Sequence, residues 1–184
     1  MLREGFSRKR GGEWYNSYAP GIVDSGTRLF VNAGAGFGLF PVYTKMAVPP
    51  LEANVEYALP ISLPISVGGF FCFAMGKEEF TPYYVTTYKY EDTETAMAFG
   101  LRAFYHFNFI KNLDTYAGLG LGWLIWNVKR DYSAVYTDTS YDYSTFFYDI
   151  RVGAKYFFTN NIGAYVEVGY NLISVVGVGL ALKF

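Results

Sequence analysis

Val175-Val176-Gly177-Val178-Gly179-Leu180-Ala181-Leu182-Lys183-Phe184 alternates residue by residue, and that alternation decides the fold. Val176, Val178, Leu180, Leu182 and Phe184 form a wholly apolar face; Gly177, Gly179, Ala181 and Lys183 form a small or charged one. A strict period of two specifies a β-strand. A sheet in water hides its apolar face and covers the other with bulky polar side chains. A narrow transmembrane barrel does the reverse, turning greasy residues to lipid and small or polar ones to the axis.

The same segregation recurs in eight segments, at about 27–40, 51–59, 65–76, 93–108, 114–129, 144–158, 162–171 and 175–184. Within them Gly34, Gly36, Gly38, Gly68, Gly76, Gly100, Gly118, Gly120, Gly122, Gly153, Gly163, Gly169, Gly177 and Gly179 share the parity of Lys183; only Gly69 opposes it. Glycine weakens a strand interior, so a face built from it needs a cause. The cramped axis of a barrel of about eight strands, with room only for side chains, supplies one.

Charge follows glycine. Arg28, Glu52, Glu56, Arg102, Asp149, Arg151, Lys155, Glu167 and Lys183 all fall on the glycine face, with the only histidine, His106. Five cations and four acids nearly cancel, so the sequence predicts a lumen ion-pair network. The opposite face carries no charge inside any strand core. A Lys or Arg there would cost roughly 2–4 kcal/mol at mid-membrane, which accounts for the segregation. The expected fold is therefore all-β: an eight-stranded antiparallel up-and-down transmembrane barrel over 27–184, preceded by a periplasmic lead-in or tail over 1–26.

Composition narrows the partners. The 184 residues carry a net charge of −1, which disfavours nucleic acid. Cys72 is alone, so no intrachain disulfide can form. The longest uncharged run, 59–76, is broken by Pro60 and Pro64 and weakened by Gly68-Gly69, so it does not read as a spanning helix. A soluble lipocalin-like barrel would leave the glycine face in water, which this pattern disfavours. Arg3, Arg8, Lys9 and Arg10 precede no apolar core, so the first residues do not read as an intact signal peptide.

The connections 41–50, 77–92 and 130–143 are long and 60–64, 109–113 and 159–161 are short; 172–174 is short out of turn. Barrels of this kind have long extracellular loops and short periplasmic turns, which sends both termini to the periplasm. The outer loops are rich in Tyr, Thr, Asp and Ser. Tyr offers large contact area at low entropic cost, so Tyr83, Tyr84, Tyr88, Tyr136 and Tyr141 are the expected contacts for a host or surface ligand.

These features resemble those of the small bacterial outer-membrane barrels of the OmpA/OmpX-like class, the outer membrane protein beta-barrel domain group, over about 27–184. The similarity is strongest in the last strand, ending in Phe184, and in Ala164-Tyr165-Val166-Glu167-Val168-Gly169-Tyr170 with its inward Glu. The resemblance implies a bacterial outer-membrane location, contact with outer-membrane lipid or lipopolysaccharide, and an assembly signal at Phe184 read by the barrel assembly machinery. Members include adhesion proteins, small channels, anchors and a few enzymes.

Enzymatic chemistry is not expected. His106 is assigned to the periplasmic end, away from Ser133, Ser140, Asp131 and Asp142 in the outer loops, so no Ser/His/Asp constellation is anticipated. No His/Cys cluster suggests a metal, and no cofactor is expected. The favoured function is a structural or surface-interaction protein with a side-chain-filled lumen; the alternative is a small porin-like channel for ions or small hydrophobic solutes.

Overall fold

The computed structural model describes residues 6–8, 14–16, 28–41, 44–61, 63–80, 90–110, 112–132 and 139–184. Near the N-terminus β1 (Phe6–Arg8) and β2 (Trp14–Asn16) form a two-stranded antiparallel ladder. Eight strands then close a barrel: β3 (Leu29–Gly38), β4 (Lys45–Ala58), β5 (Ile65–Phe80), β6 (Tyr90–Ile110), β7 (Leu113–Tyr132), β8 (Thr139–Phe157), β9 (Ile162–Tyr170) and β10 (Ser174–Lys183). Each strand pairs antiparallel with its sequence neighbours, and β10 returns to β3. Closure leaves no open edge around the barrel wall, which a bilayer requires because it offers backbone groups no hydrogen-bond partner. Phe184 completes the seam, its N–H donating to the Leu29 carbonyl at 2.9 Å.

Parity sorts the side chains as the alternation predicts. Arg151 is wholly buried, whereas Leu101, one step from the inward Arg102, is 73% exposed to the surroundings of the barrel. The outward belt of Leu119, Leu121, Trp123, Phe146, Ile150 and Val168 is exposed hydrocarbon. That surface is stable only against lipid.

Inside, rings stand over glycines. A Cβ on Gly122 would lie 2.6 Å from Phe147 Cζ, one on Gly153 2.7 Å from Tyr116 Cζ, and one on Gly100 2.8 Å from Phe70 Cε1. Gly179 likewise makes room for Tyr165, whose Cε1 would be 2.7 Å away. The outward Gly69 has no such neighbour: its Cβ would meet only the Gly100 carbonyl oxygen at 3.5 Å.

The strands are longer at one end than their apolar cores suggest. β6, β7 and β8 run 21, 20 and 19 residues and β5 runs 16, against 10, 9 and 10 in β3, β9 and β10. Crossing a bilayer takes about 9–11 residues. The inner ends of β6, β7 and β8 share a rung, with Ile110 opposite Leu113 and Leu113 opposite Tyr156, and β6 runs inward past Tyr105, the partner of Ile65, so most but not all of the excess lies opposite the barrel's N- and C-terminal ends. Beyond the crossing these four strands continue, paired to one another, as a sheet above the outer surface. Segments 77–80, 90–92, 130–132 and 139–143, expected as loop, belong to this sheet. Likewise β4 starts at Lys45, not 51; Pro49 and Pro50 are accommodated by register shifts between Met46 and Val48 and between Val48 and Leu51.

Candidate functional site: the barrel interior and the outer sheet

The lumen is filled in layers. At the inner end Phe30, Ala58, Phe157, Tyr165 and Ala181 pack together. Beside them Lys155 donates from Nζ to both Glu56 oxygens, at 2.6 and 2.7 Å, and lies 4.6 Å from the Tyr116 ring centroid. Asn32 Nδ2 donates to Glu56 Oε1 at 2.8 Å and to Asn54 Oδ1 at 2.5 Å. All these polar side chains are buried, and each charge has an opposite charge in contact, as a low-dielectric interior demands.

The middle layer is organised by two arginines. Arg102 Nη2 donates to Asp149 Oδ2 at 2.9 Å, and its guanidinium carbon lies 4.0 Å from the Phe70 ring centroid. Arg151 contacts Glu52 at 3.0 Å, Asp149 at 3.4 Å and Glu167 at 3.5 Å. Tyr116 O–H donates to Glu167 Oε1 at 2.7 Å. Glu52 Oε1 also accepts from Ser174 Oγ and Asn171 Nδ2, tying the layer to the connection between β9 and β10.

An apolar layer lies toward the outer end. Phe70, Cys72, Ala74, Ala96, Ala98, Leu124 and Phe147 come from strands; Phe40 and Ile173 come from connections that fold into the mouth. The Leu39 and Phe40 N–H groups both donate to the Ile173 carbonyl, at 3.2 and 3.0 Å, which joins the two connections. Leu172 takes a φ of 67°, and Asn171 Oδ1 accepts from the Ile173 and Ser174 N–H groups at 3.0 and 2.8 Å. Phe40 stands edge-on to Trp126 at 5.9 Å, and Phe70 to Phe147 at 6.2 Å.

Of the ten residues expected in the lumen network, the structure brings Glu52, Arg102, Asp149, Arg151 and Glu167 into one layer and Glu56, Lys155 and His106 into the layer below. Glu56 is the carboxylate that serves Lys155. Arg28 is exposed at the inner rim, and Lys183 lies 4.5 Å from the Phe157 ring centroid, outside both ion-pair layers. Sequence reasoning missed Asn32, Asn54, Ser66, Asp114 and Tyr116; all have lumen parity, which was the available signal.

The expectation of no Ser/His/Asp arrangement needs correction. Ser66 Oγ lies 2.9 Å from His106 Nε2, and His106 Nδ1 lies 2.9 Å from Asp114 Oδ1. In the neutral imidazole Nδ1 carries the proton, because Asp114 only accepts, and Nε2 accepts from Ser66. The order is that of a nucleophilic relay, but the surroundings are not. Ser66 is fully buried, and its hydroxyl is 3.4 Å from Glu56 Oε2, a carboxylate that would repel a developing oxyanion. The arrangement satisfies a buried histidine. Among the described residues, no group of three or more His, Cys, Asp or Glu side chains is placed to hold a metal.

On the outer sheet Arg130 grips Asp92 with two hydrogen bonds of 2.6 Å, and Lys77 donates to Glu91 at 2.7 Å. That last hydrogen bond, reinforced by its charge, holds the exposed Lys77 ammonium above the usual lysine range and the Glu91 carboxyl below the usual carboxylate range. Tyr141, expected in a loop, is a β8 residue and is 68% exposed. Tyr83, Tyr84, Tyr88 and Tyr136 lie outside the described residues.

Residues 24–184 match the family model described as outer membrane protein beta-barrel domain. Among solved structures, a major outer membrane protein from Thermus thermophilus is similar with a TM-score of 0.59 at 12% identity, covering 86% of this chain and 99% of that one. The N-terminal β-barrel domain of Pseudomonas aeruginosa OprF is similar at TM-score 0.48 and 17% identity, covering 86% and 99%. Neisserial surface protein A gives 0.48 and 14%, covering 87% and 98%. No curated protein matches the chain.

Proposed function

Because the chain belongs to the outer membrane protein beta-barrel domain family and sits in the bacterial outer membrane, we propose that it is a surface-interaction protein: a closed barrel that anchors a projecting sheet and presents it to a host or surface ligand. The observation that carries this reading is the contrast in strand length. β5 to β8 continue far past the bilayer while β3, β9 and β10 stop near it. Backbone extended that far serves no purpose within the membrane, and it displays the rings of Tyr141 and Tyr143. Tyr side chains of this kind supply contact area with little entropic loss.

A conducting pore is the competing reading. It is disfavoured by the layer of Phe40, Phe70, Leu124, Phe147 and Ile173, which sets apolar side chains across the outer end among the described residues. The last strand with Phe184 is suited to recognition by the barrel assembly machinery during insertion.

The test is to trim Thr81–Asp92 and Asp131–Tyr143 to tight turns and display the variant on bacteria. Adhesion of those bacteria to protein- or glycan-coated surfaces should fall to background, while heat-modifiable gel mobility shows a folded barrel. Undiminished adhesion by the trimmed barrel would overturn the reading.

A further inference from the structure

Gly177 departs from the rule that governs the other inward glycines. A Cβ on any other lumen-facing glycine among the described residues would lie 2.8 Å or closer to a neighbouring heavy atom. One on Gly177 would meet Arg151 Nη1 at 3.6 Å, Glu52 Oε2 at 3.7 Å and Glu167 Cβ at 3.9 Å, and nothing nearer. These are ordinary contacts, and Gly177 has no positive φ to forbid a side chain, so the position has room for alanine. Glycine weakens a strand interior. At this point β10 forgoes backbone stability for a space that no neighbouring ring fills.

Three half-used polar groups surround that space. Glu52 accepts through Oε1 from Arg151 Nη2, Ser174 Oγ and Asn171 Nδ2, but its Oε2 has no hydrogen-bond partner in the protein. Glu167 accepts through Oε1 from Tyr116, and its Oε2 has none. Arg151 donates through Nη2 and Nε, and its Nη1 has none. Arg151 Nη1 and Glu167 Oε2 stand 3.5 Å apart as an ion pair without a hydrogen bond. Glu52 is 5% exposed, and Arg151 and Glu167 are wholly buried. An unmatched polar atom at that depth costs the full desolvation of the group, so the three atoms call for a ligand.

The unmatched set is one donor and two acceptors, and that set selects the ligand. A cation would face the Arg151 guanidinium; an anion would face two carboxylates. A water molecule accepts and also donates twice, which matches all three atoms, and buried waters typically make about three hydrogen bonds. We infer that the space beside Gly177 is a binding site for one ordered water, which accepts from Arg151 Nη1 and donates to Glu52 Oε2 and Glu167 Oε2. The water joins β4, β8 and β9 where β10 contributes only backbone. Gly177 is thus kept small for solvent, whereas Gly122 and Gly153 are kept small for rings.

The test uses the full chain, folded from detergent. In crystals that resolve ordered water, density is expected within hydrogen-bond distance of all three atoms, and it should carry no anomalous signal after soaks in rubidium or bromide salts. Gly177→Ala and Gly177→Ser are compared with the parent by urea unfolding in lipid vesicles, with heat-modifiable mobility as the check on folding. In an empty space alanine would stabilise, because it removes conformational freedom from the unfolded chain and touches nothing closer than 3.6 Å. With water bound, alanine expels it and strands its partners, and the folding equilibrium constant should fall about tenfold, the cost of one unmatched buried polar group. Serine should recover most of that loss, because its hydroxyl accepts from Arg151 and donates to one carboxylate. Should a variant fail to fold, the density in the parent decides alone. A rubidium or bromide peak at the site, no density there, or a folded alanine variant as stable as the parent would overturn the assignment.

Discussion

Replacing Arg151 with Met should destabilise the barrel more than any single aromatic truncation in the lumen. Methionine keeps most of the stem volume, so the loss is charge and not a cavity. Arg151 is fully buried and contacts three carboxylates, Glu52, Asp149 and Glu167, at 3.0, 3.4 and 3.5 Å. Without it only Asp149 keeps a cation, Arg102 at 2.9 Å. Glu52 and Glu167 are then buried without one. Breaking a single buried pair costs about 3–5 kcal/mol; with two carboxylates stranded, the upper end applies, roughly three and a half decades in the unfolding equilibrium. The assay is urea unfolding in lipid vesicles followed by tryptophan fluorescence. Neutralising the stranded partners, in a Glu52→Gln, Arg151→Met, Glu167→Gln variant, should recover most of the loss, because removing both sides of a buried pair is near neutral. If Arg151→Met lies within about 1 kcal/mol of the parent, far below the cost of breaking a buried pair, the middle layer does not act as an ion-pair network. The same holds if the compensated variant is no better.

The two faces of the wall should respond oppositely to bulk. Gly122→Leu drives a side chain into Phe147 and Phe70 and should cost about 1–3 kcal/mol, whereas Gly69→Leu faces lipid and should be neutral or stabilising in the same unfolding assay. Leu121→Arg on the outward belt should cost roughly 2–4 kcal/mol, and Tyr141→Arg, beyond the bilayer, close to nothing. In planar bilayers the parent should show no stepwise current, and a Phe40→Ala, Phe70→Ala, Phe147→Ala variant should; current through the parent would refute the seal. A fluorophosphonate reagent should leave Ser66 unmodified in the folded barrel, and covalent labelling at Ser66 would show that the Ser66–His106–Asp114 relay is reactive.

Much of this architecture was legible in parity alone. Gly177 against Val178, or Arg102 against Leu101, fixes which way a strand faces once closure is assumed, and the eight closures follow from the recurrence. The outer ends were not legible, for a physical reason. Past the hydrocarbon both faces of β6, β7 and β8 are wet, so residues such as Thr93, Asn127 and Ser140 no longer alternate with apolar ones, and the pattern that marks a strand disappears. Pro49 and Pro50 hid the start of β4 in the same way, because strand breakers are tolerated at a bulge. The Ser66–His106–Asp114 contact was missed because a triad was sought among outer loops. The three residues share lumen parity near the inner ends of β5, β6 and β7, but their meeting depends on the register between strands, which parity does not supply.

The apolar layer at the outer mouth constrains the connections that help to build it. Phe40, Leu172 and Ile173 belong to short turns whose side chains are built into the interior, so antigenic drift cannot rewrite them without loosening the barrel. A population under immune or phage pressure is therefore held to residues 39–41 and 171–173 nearly as tightly as to the interior they complete, and strain-to-strain variation should spare both.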